Sequence, residues 1–382
     1  MNLSHTFLHY FEGLEDPRLN NHHNLRHGLV DILVITILAC ICGADTWIEI
    51  NEFGIAKYEW LKTFLELPNG IPSHDTFSRV FSLIDPQKFE SCFYSWIKSL
   101  AIDTHNEVIA IDCKTLRGSG NRRQGQRPLH LVSAWATSQN LLLGKIQTAE
   151  KSNEITAIPQ LLKMVDLKGS IVTIDAMGCQ SSIAQEIKDQ GAEYVLNLKE
   201  NQPKLYEIVE AIFEMGKSRQ YKKMLHRRKV EKVHDHGRIE TRRYTLISAR
   251  DPAVFQLRWP ALKGLGLLEV TRTTNNQVEY SKRYFLSSLA YENIDDFIKA
   301  VRKHWSIEIN LHWSLDVSFK EDINRARAGH SAQNLATVRR IALSLLTREK
   351  NHKRGITAKR KTAVWNHKYL MEVLKIGSVN NA

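Results

Sequence analysis

The sequence predicts an α/β protein with a mixed-sheet core, an antiparallel β insertion, a helical N-terminal domain and a basic helical C-terminal region. Three observations carry that prediction. Residues 1 to 105 show apolar residues at helical spacing and helix-start signals, with few strand-like runs. Near residue 106 the period changes, and the chain reads strand, strand, strand, helix, strand, helix, strand up to residue 198. From 205 to 290 polar and apolar residues alternate through long segments, and helical patterns return from 291.

Taken in order, the run "LVDILVITILACICGA" (29–44) is too short to span a membrane and carries Asp31, so it reads as a buried core helix. "IPSHDTFSRVFSLI" opens with Pro72 and Ser73 ahead of the periodic Phe77, Val80 and Phe81. Asp85 and Pro86 repeat that logic as cap and first helical residue. "EVIAIDC" (107–113), "LHLVSAWAT" (129–137) and "LLLGKIQTAE" (141–150) read as strands, the last two joined by a turn at Ser138, Gln139 and Asn140. A helix (153–165), a strand "SIVTIDA" (170–176), a second helix and a strand "AEYVLNL" (192–198) complete the first part of the core, 106–204. The β insertion, 205–290, carries an exposed basic face with turns at His236-Gly237 and Asn275-Asn276. Residues 291–350 read as two helices, 293–319 and 331–350, that return to the core, and 351–382 as a basic tail. Seven Lys or Arg fall between 348 and 361.

Composition narrows the function. The chain is 43% hydrophobic, enough for a substantial core, and 53 Lys and Arg outnumber 41 acids for a net charge of +12. Such a balance favours a polyanionic partner, nucleic acid before a membrane surface. Five cysteines without a framework spacing fit a reducing compartment. With no signal-peptide pattern at the start, a cytoplasmic location is expected. No phosphate-binding Walker loop occurs, and Gly264 and Gly266 lack the rest of a dinucleotide fingerprint, so no nucleotide cofactor is expected. His23 and His27 stand at i, i+4 without further ligands at zinc spacing, and read as a polar cap. Cys113 and Cys179 read as small packed side chains.

The chemistry concentrates at two strand ends. Asp112 closes "VIAID" and Asp175 closes "IVTID", 63 positions apart. Open α/β sheets place ligands at the carboxyl ends of their strands. Two carboxylates brought together there repel unless a cation lies between them, and oxygen donors suit Mg²⁺ or Mn²⁺. A strand-end aspartate alone is equally a turn former. A third acid is available in Glu308, which shares a helix face with His304 and His312, while Trp305, Ile307, Leu311 and Leu315 can anchor that helix in the core. Asp316 and Asp322 are the alternatives.

These segments resemble the insertion-sequence transposases of the DDE type, in their H-repeat-associated branch. The resemblance runs through "GLEDPRLNNHHNLRHGLVDIL", "IPSHDTFSRVF", "IAIDCKTLRGS", "EKSNEITAIPQLL", "IVTIDAMGCQ", "YVLNLKENQP" and "HWSIEINLHWSLDVSFKED", almost the whole chain. It implies an RNase H-like catalytic core and a β insertion before the third acid. It also implies two Mg²⁺ or Mn²⁺ ions on Asp112, Asp175 and Glu308, and cutting and joining of double-stranded DNA by a homodimer or higher synaptic complex. An RNase H-like nuclease that cuts without joining and a catalytically decayed DNA-binding relative are the alternatives. One departure is plain: where the wider group has Tyr, Arg and Lys around the third acid, this chain has Val301, His304 and Leu315. Arg302, Lys303, His304 and Lys320 are the nearest substitutes for contacts to DNA ends. Lys114 and Arg117, beside Asp112, and Arg122, Arg123 and Arg127 in the following loop are placed to meet phosphates.

Overall fold

A computed structural model describes residues 7–18, 25–101, 104–148, 154–215, 224–235, 238–250, 257–274 and 277–376. His23 and the two expected turns at 236–237 and 275–276 lie outside the described residues.

The N-terminal helices are α1 (Leu29–Ile41), α2 (Trp47–Ala56), α3 (Tyr58–Leu61), α4 (His74–Leu83) and α5 (Pro86–Leu100). α1 is buried along almost its whole length, which explains its apolar run without a membrane. Among the described residues no helix is long and apolar enough to cross a membrane. The expected caps are present: Ser73 accepts from the Thr76 N–H, and Asp85 from those of Gln87 and Lys88.

Among the described residues nine strands form one sheet, β1 (Val108–Leu116), β2 (Leu129–Ala136), β3 (Leu141–Thr148), β4 (Ile171–Ile174), β5 (Glu193–Leu198), β6 (His226–Asp235), β7 (Arg238–Ser248), β8 (Gly264–Thr274) and β9 (Gln277–Ser287). Their order is β3-β2-β1-β4-β5-β9-β8-β7-β6. β1, β4 and β5 run parallel and every other pairing is antiparallel, so the mixed α/β class expected from the sequence is present. The four strands of the 205–290 segment continue the core sheet, because β9 hydrogen-bonds to β5.

Alternation along β1 divides the two faces. Ile109 and Ile111 pack with α6 (Glu154–Met164), α7 (Ser181–Asp189) and α8 (Pro203–Glu214). The opposite face receives α9 (Ile294–Ile307), α10 (Ser331–Arg348) and the N-terminal helices. Helices α11 (Ile356–Trp365) and α12 (His367–Ile376) share that second core through Ala363, Leu370, Val373 and Leu374. The C-terminal region therefore differs from the basic tail expected. Lys359 is buried and donates to the carbonyl oxygens of Leu346 and Glu349. Arg360 donates to the Cys40 carbonyl and lies 4.2 Å over the Phe319 ring. Charged ends on long apolar stems can line a core where carbonyl oxygens or a ring face receive them, which composition alone does not reveal.

Candidate active site

Strand register brings the two aspartates together. Ile111 pairs with Ile174 across the parallel β1–β4 ladder, and Asp112 and Asp175 are the next residues on each chain. Neighbouring strands lie about 4.8 Å apart, so the two carboxylates leave adjacent backbones side by side. Asp112 is not at the tip of its strand, as the sequence suggested. β1 continues to Leu116 through its ladder with β2, while β4 stops at Ile174. The site opens where the parallel partner ends.

The helical return brings Glu308 to the same cleft. α9 docks on the sheet through Phe297, Ala300 and Val301, and Ile307 and Leu311 are fully buried. At Glu308 the helix widens into a π-helix that runs to Ser318, where one α-helix was expected. Such segments are rare and cluster at functional sites. Trp305 departs from expectation as well: it is half exposed, with the Arg283 guanidinium 5.0 Å over its ring. A ring facing a cation at the surface gains attraction without burial, so an aromatic at helical spacing need not be an anchor.

Asp112, Asp175 and Glu308 line one cleft of about 320 Å³, with Thr173, Asn197, Lys199, Arg283, His304 and Trp305. One carboxylate oxygen each from Asp112 and Glu308 and a ring nitrogen of His312 lie within 4.8 Å of one another. His312 Nδ1 is 3.4 Å from Asp112 Oδ2 and 3.8 Å from Glu308 Oε2.

The electrostatics follow from this packing. Burial and the neighbouring charges of Asp112 and Glu154 push the Asp175 carboxyl up to about 6, against a weaker downward pull from the Gly178 N–H and Lys199. Burial would raise Asp112 too, but the hydrogen bond and charge of His312 prevail and hold it below its ordinary value. Burial works against a charged His312, yet Asp112 and Glu308 outweigh it and raise its pKa. Burial lowers that of His304, whose Nδ1 meets Thr173 Oγ1 at 3.0 Å. Beneath the aspartates, on the α6 side, His130 bonds Glu154 through Nε2 at 2.5 Å and Thr115 through Nδ1 at 2.7 Å, with Cys113 beside them. The donors facing the cleft are mainly carboxylate oxygens, and Asp175 carries negative charge that its surroundings do not balance. Both features fit a hard divalent cation.

Comparison with known proteins matches the family described as "Transposase DDE domain" over residues 103–345, preceded by the "DDE_Tnp_1-associated" family over 8–97. The chain belongs to the DDE transposase family. It is 40% identical over 363 residues to "Putative transposase YncI" of Escherichia coli O157:H7, covering 94% of this chain and 92% of that one. It is 38% identical over 355 residues to "H repeat-associated putative transposase YhhI" of E. coli strain K12, covering 92% and 93%. These relatives agree with the H-repeat-associated branch. A cryo-EM structure of the piggyBac transposase synaptic complex with hairpin DNA aligns with 91% of this chain and 72% of that one, at a TM-score of 0.45 and 10% identity.

Within this transposase the expected cations occupy different surroundings. Lys114 is buried against Asp316 and Asp322, so neither alternative third acid shares the Asp112 cleft. Arg117 is exposed, 3.6 Å from Asp322. Arg122, Arg123 and Arg127 are exposed on a loop of short 3₁₀ turns closed by Asn121 and Gln126. Arg302 pairs with Glu231 at 3.2 Å, Lys303 is exposed, and Lys320 pairs with Asp45 at 3.1 Å. His304 is at the cleft rather than on the outer surface. Four polar cleft residues escaped the sequence reading: Thr173, Asn197, Lys199 and Arg283. Lys199 follows the end of β5 as Asp175 follows β4, a usable signal. Asn197 sits on β5 and Arg283 on β9, and only the β5–β9 pairing brings Arg283 to the cleft.

Proposed function

We propose that this protein cuts and joins DNA at the ends of an insertion sequence by phosphoryl transfer dependent on divalent metal. The observation that carries the reading is the convergence of Asp112, Asp175 and Glu308 on one cleft that also presents Lys199 and Arg283. Asp112, Asp175 and Glu308 would hold two Mg²⁺ or Mn²⁺ ions. The chemistry such ions supply when bound is neutralisation of phosphate charge and acidification of the attacking hydroxyl. The strands keep Asp112 and Asp175 rigid, and Lys199 and Arg283 orient the scissile phosphate. Water is the first nucleophile and nicks the element end. The freed 3′-hydroxyl is the second and attacks the target strand.

The path of the duplex leaves the cleft through Arg283, Val301 and Trp305, which also line a larger concavity of about 730 Å³ with Arg242, Arg272 and Arg302. The loop cations Arg117, Arg122, Arg123 and Arg127, with Lys303 and Lys320, add phosphate contacts. The working form is a homodimer or higher synaptic complex in the bacterial cytoplasm. Its parts are the helical accessory region 1–105, the core 106–204 and 291–350, the β insertion 205–290 and the C-terminal segment 351–382.

The test uses purified protein, a labelled duplex carrying the element's end, a supercoiled target and MgCl₂. Cleaved and joined products are expected from the wild type, and neither from Asp112→Asn or Asp175→Asn, with DNA binding retained. Cleavage by either variant within about tenfold of wild type, a cost of only about 1.4 kcal/mol, would overturn the reading. Cleavage without joining would leave a nuclease.

A further inference from the structure

Lys114 is a lysine that the cleft does not use. It stands two residues beyond Asp112 on β1, so strand alternation puts both side chains on the face covered by the helical return. Its side chain is only 7% exposed. The ammonium donates to both carboxylate oxygens of Asp316, each at 2.5 Å, and lies 3.9 Å from Asp322 Oδ1. A buried lysine is costly unless its charge is paired, and here one bidentate partner meets it.

Asp316 belongs to the same π-helix that starts at Glu308, with His312 midway between them. Two contacts therefore tie β1 to this helix: Asp112 with His312, and Lys114 with Asp316. They are two residues apart on the strand and four apart on the helix, one pleat against one turn. Glu308 lies one further step along the helix and is more than half exposed, so its own burial does little to fix it. Beyond Asp316 the connection is reinforced. Arg117 donates its backbone N–H to Asp322, and Gly118 lies so near Asn324 that a Cβ there would sit 2.4 Å from the Asn324 carbonyl oxygen.

We propose that Lys114 and Asp316 are positioning residues: their ion pair is a clasp that sets the π-helix against β1 and so holds Glu308 at the distance from Asp112 that metal binding requires. This deepens the function proposed above and rests on it. It also assigns Lys114 away from the phosphate contacts that its place in the sequence suggested. Partners that orient metal ligands from behind typically change metal affinity by about 10- to 100-fold when removed.

The experiment compares the full-length wild type with Lys114→Met, Asp316→Asn and the double variant. Mn²⁺ binding is measured by electron paramagnetic resonance without DNA, and duplex affinity by anisotropy without divalent ions across a salt series. A urea unfolding curve is recorded for each protein. The double variant leaves no buried charge unpaired, so it should unfold closer to wild type than either single variant. All three variants should bind Mn²⁺ about tenfold or more weakly, with duplex affinity within about twofold of wild type and an unchanged salt slope. A folded double variant whose Mn²⁺ affinity stays within about twofold of wild type overturns the clasp. So does weaker duplex binding with a shallower salt slope, which would make Lys114 a phosphate contact. If the wild type binds no Mn²⁺ and does not cleave, the proposed function falls and the clasp falls with it. If the wild type does both and the variants match it, only the clasp fails.

Discussion

Asp175→Asn should make the metal-free protein more stable while removing its activity. The carboxyl is buried, faces the charges of Asp112 and Glu154, and its pKa rises from 3.8 to about 6. At about 1.4 kcal/mol per pH unit, that rise corresponds to about 3 kcal/mol. The sign follows from proton affinity. The folded state holds this proton more tightly than the unfolded chain, so Asp175 favours folding below about pH 4 and loses that advantage as pH climbs towards 6. Above about pH 6 the folded protein carries a buried charge that asparagine, of nearly the same shape, does not. Urea unfolding at about pH 8 should show the variant more stable by about 3 kcal/mol, and the gap should close as the pH approaches 4. Mg²⁺ at about 100 times its dissociation constant should then stabilise the wild type by about 2.7 kcal/mol and the variant far less. A variant no more stable than wild type at high pH, or a gap that ignores pH, would refute the argument that Asp175 awaits a cation.

Four further outcomes follow from the structure. Arg340 and Glu321 are fully buried and paired at 2.7 Å, so Arg340→Met should cost about 3–5 kcal/mol in urea unfolding by removing the guanidinium that hydrogen-bonds the buried carboxylate. Burial opposes the charged Glu321, but Arg340 and Arg339 hold its pKa below 4.5; its contribution is present above that value and should fade as pH falls through the lower folded one, which an acid-unfolding curve will show. Gly118→Ala should displace the 322–324 connection, because its Cβ would meet two backbone carbonyls at 2.4 and 2.8 Å; normal stability together with normal cleavage would contradict this. Duplex affinity should fall steeply with salt, and each phosphate-contacting cation removed among Arg122, Arg123 and Arg127 should lower the log–log slope by about 0.9; a slope that stays fixed would exclude this loop from the DNA path.

Much of this protein is local and therefore legible in its sequence. Helix α1 announced itself by a long, mostly apolar run, α4 and α5 by Ser73 and Asp85, and β1 and β4 by short apolar runs that both lead into Ile-Asp. Those signals need only neighbours along the chain: a cap bonds its own first turn, and a buried strand shows in its own side chains. The repeated Ile-Asp also named the two aspartates, because parallel strands in register place equivalent positions together. What the sequence could not decide lies in contacts between distant segments. Arg283 reaches the cleft only because β9 pairs with β5, and Lys359 and Arg360 look like a free basic tail until α11 folds onto the core. The capture of Lys114 by Asp316 joins residues 202 positions apart. A lysine two residues after an aspartate has the same sequence whether it faces phosphate or a buried carboxylate. Only the packing of the helical return against β1 sets the desolvation and the partner, and those two quantities decide which it meets.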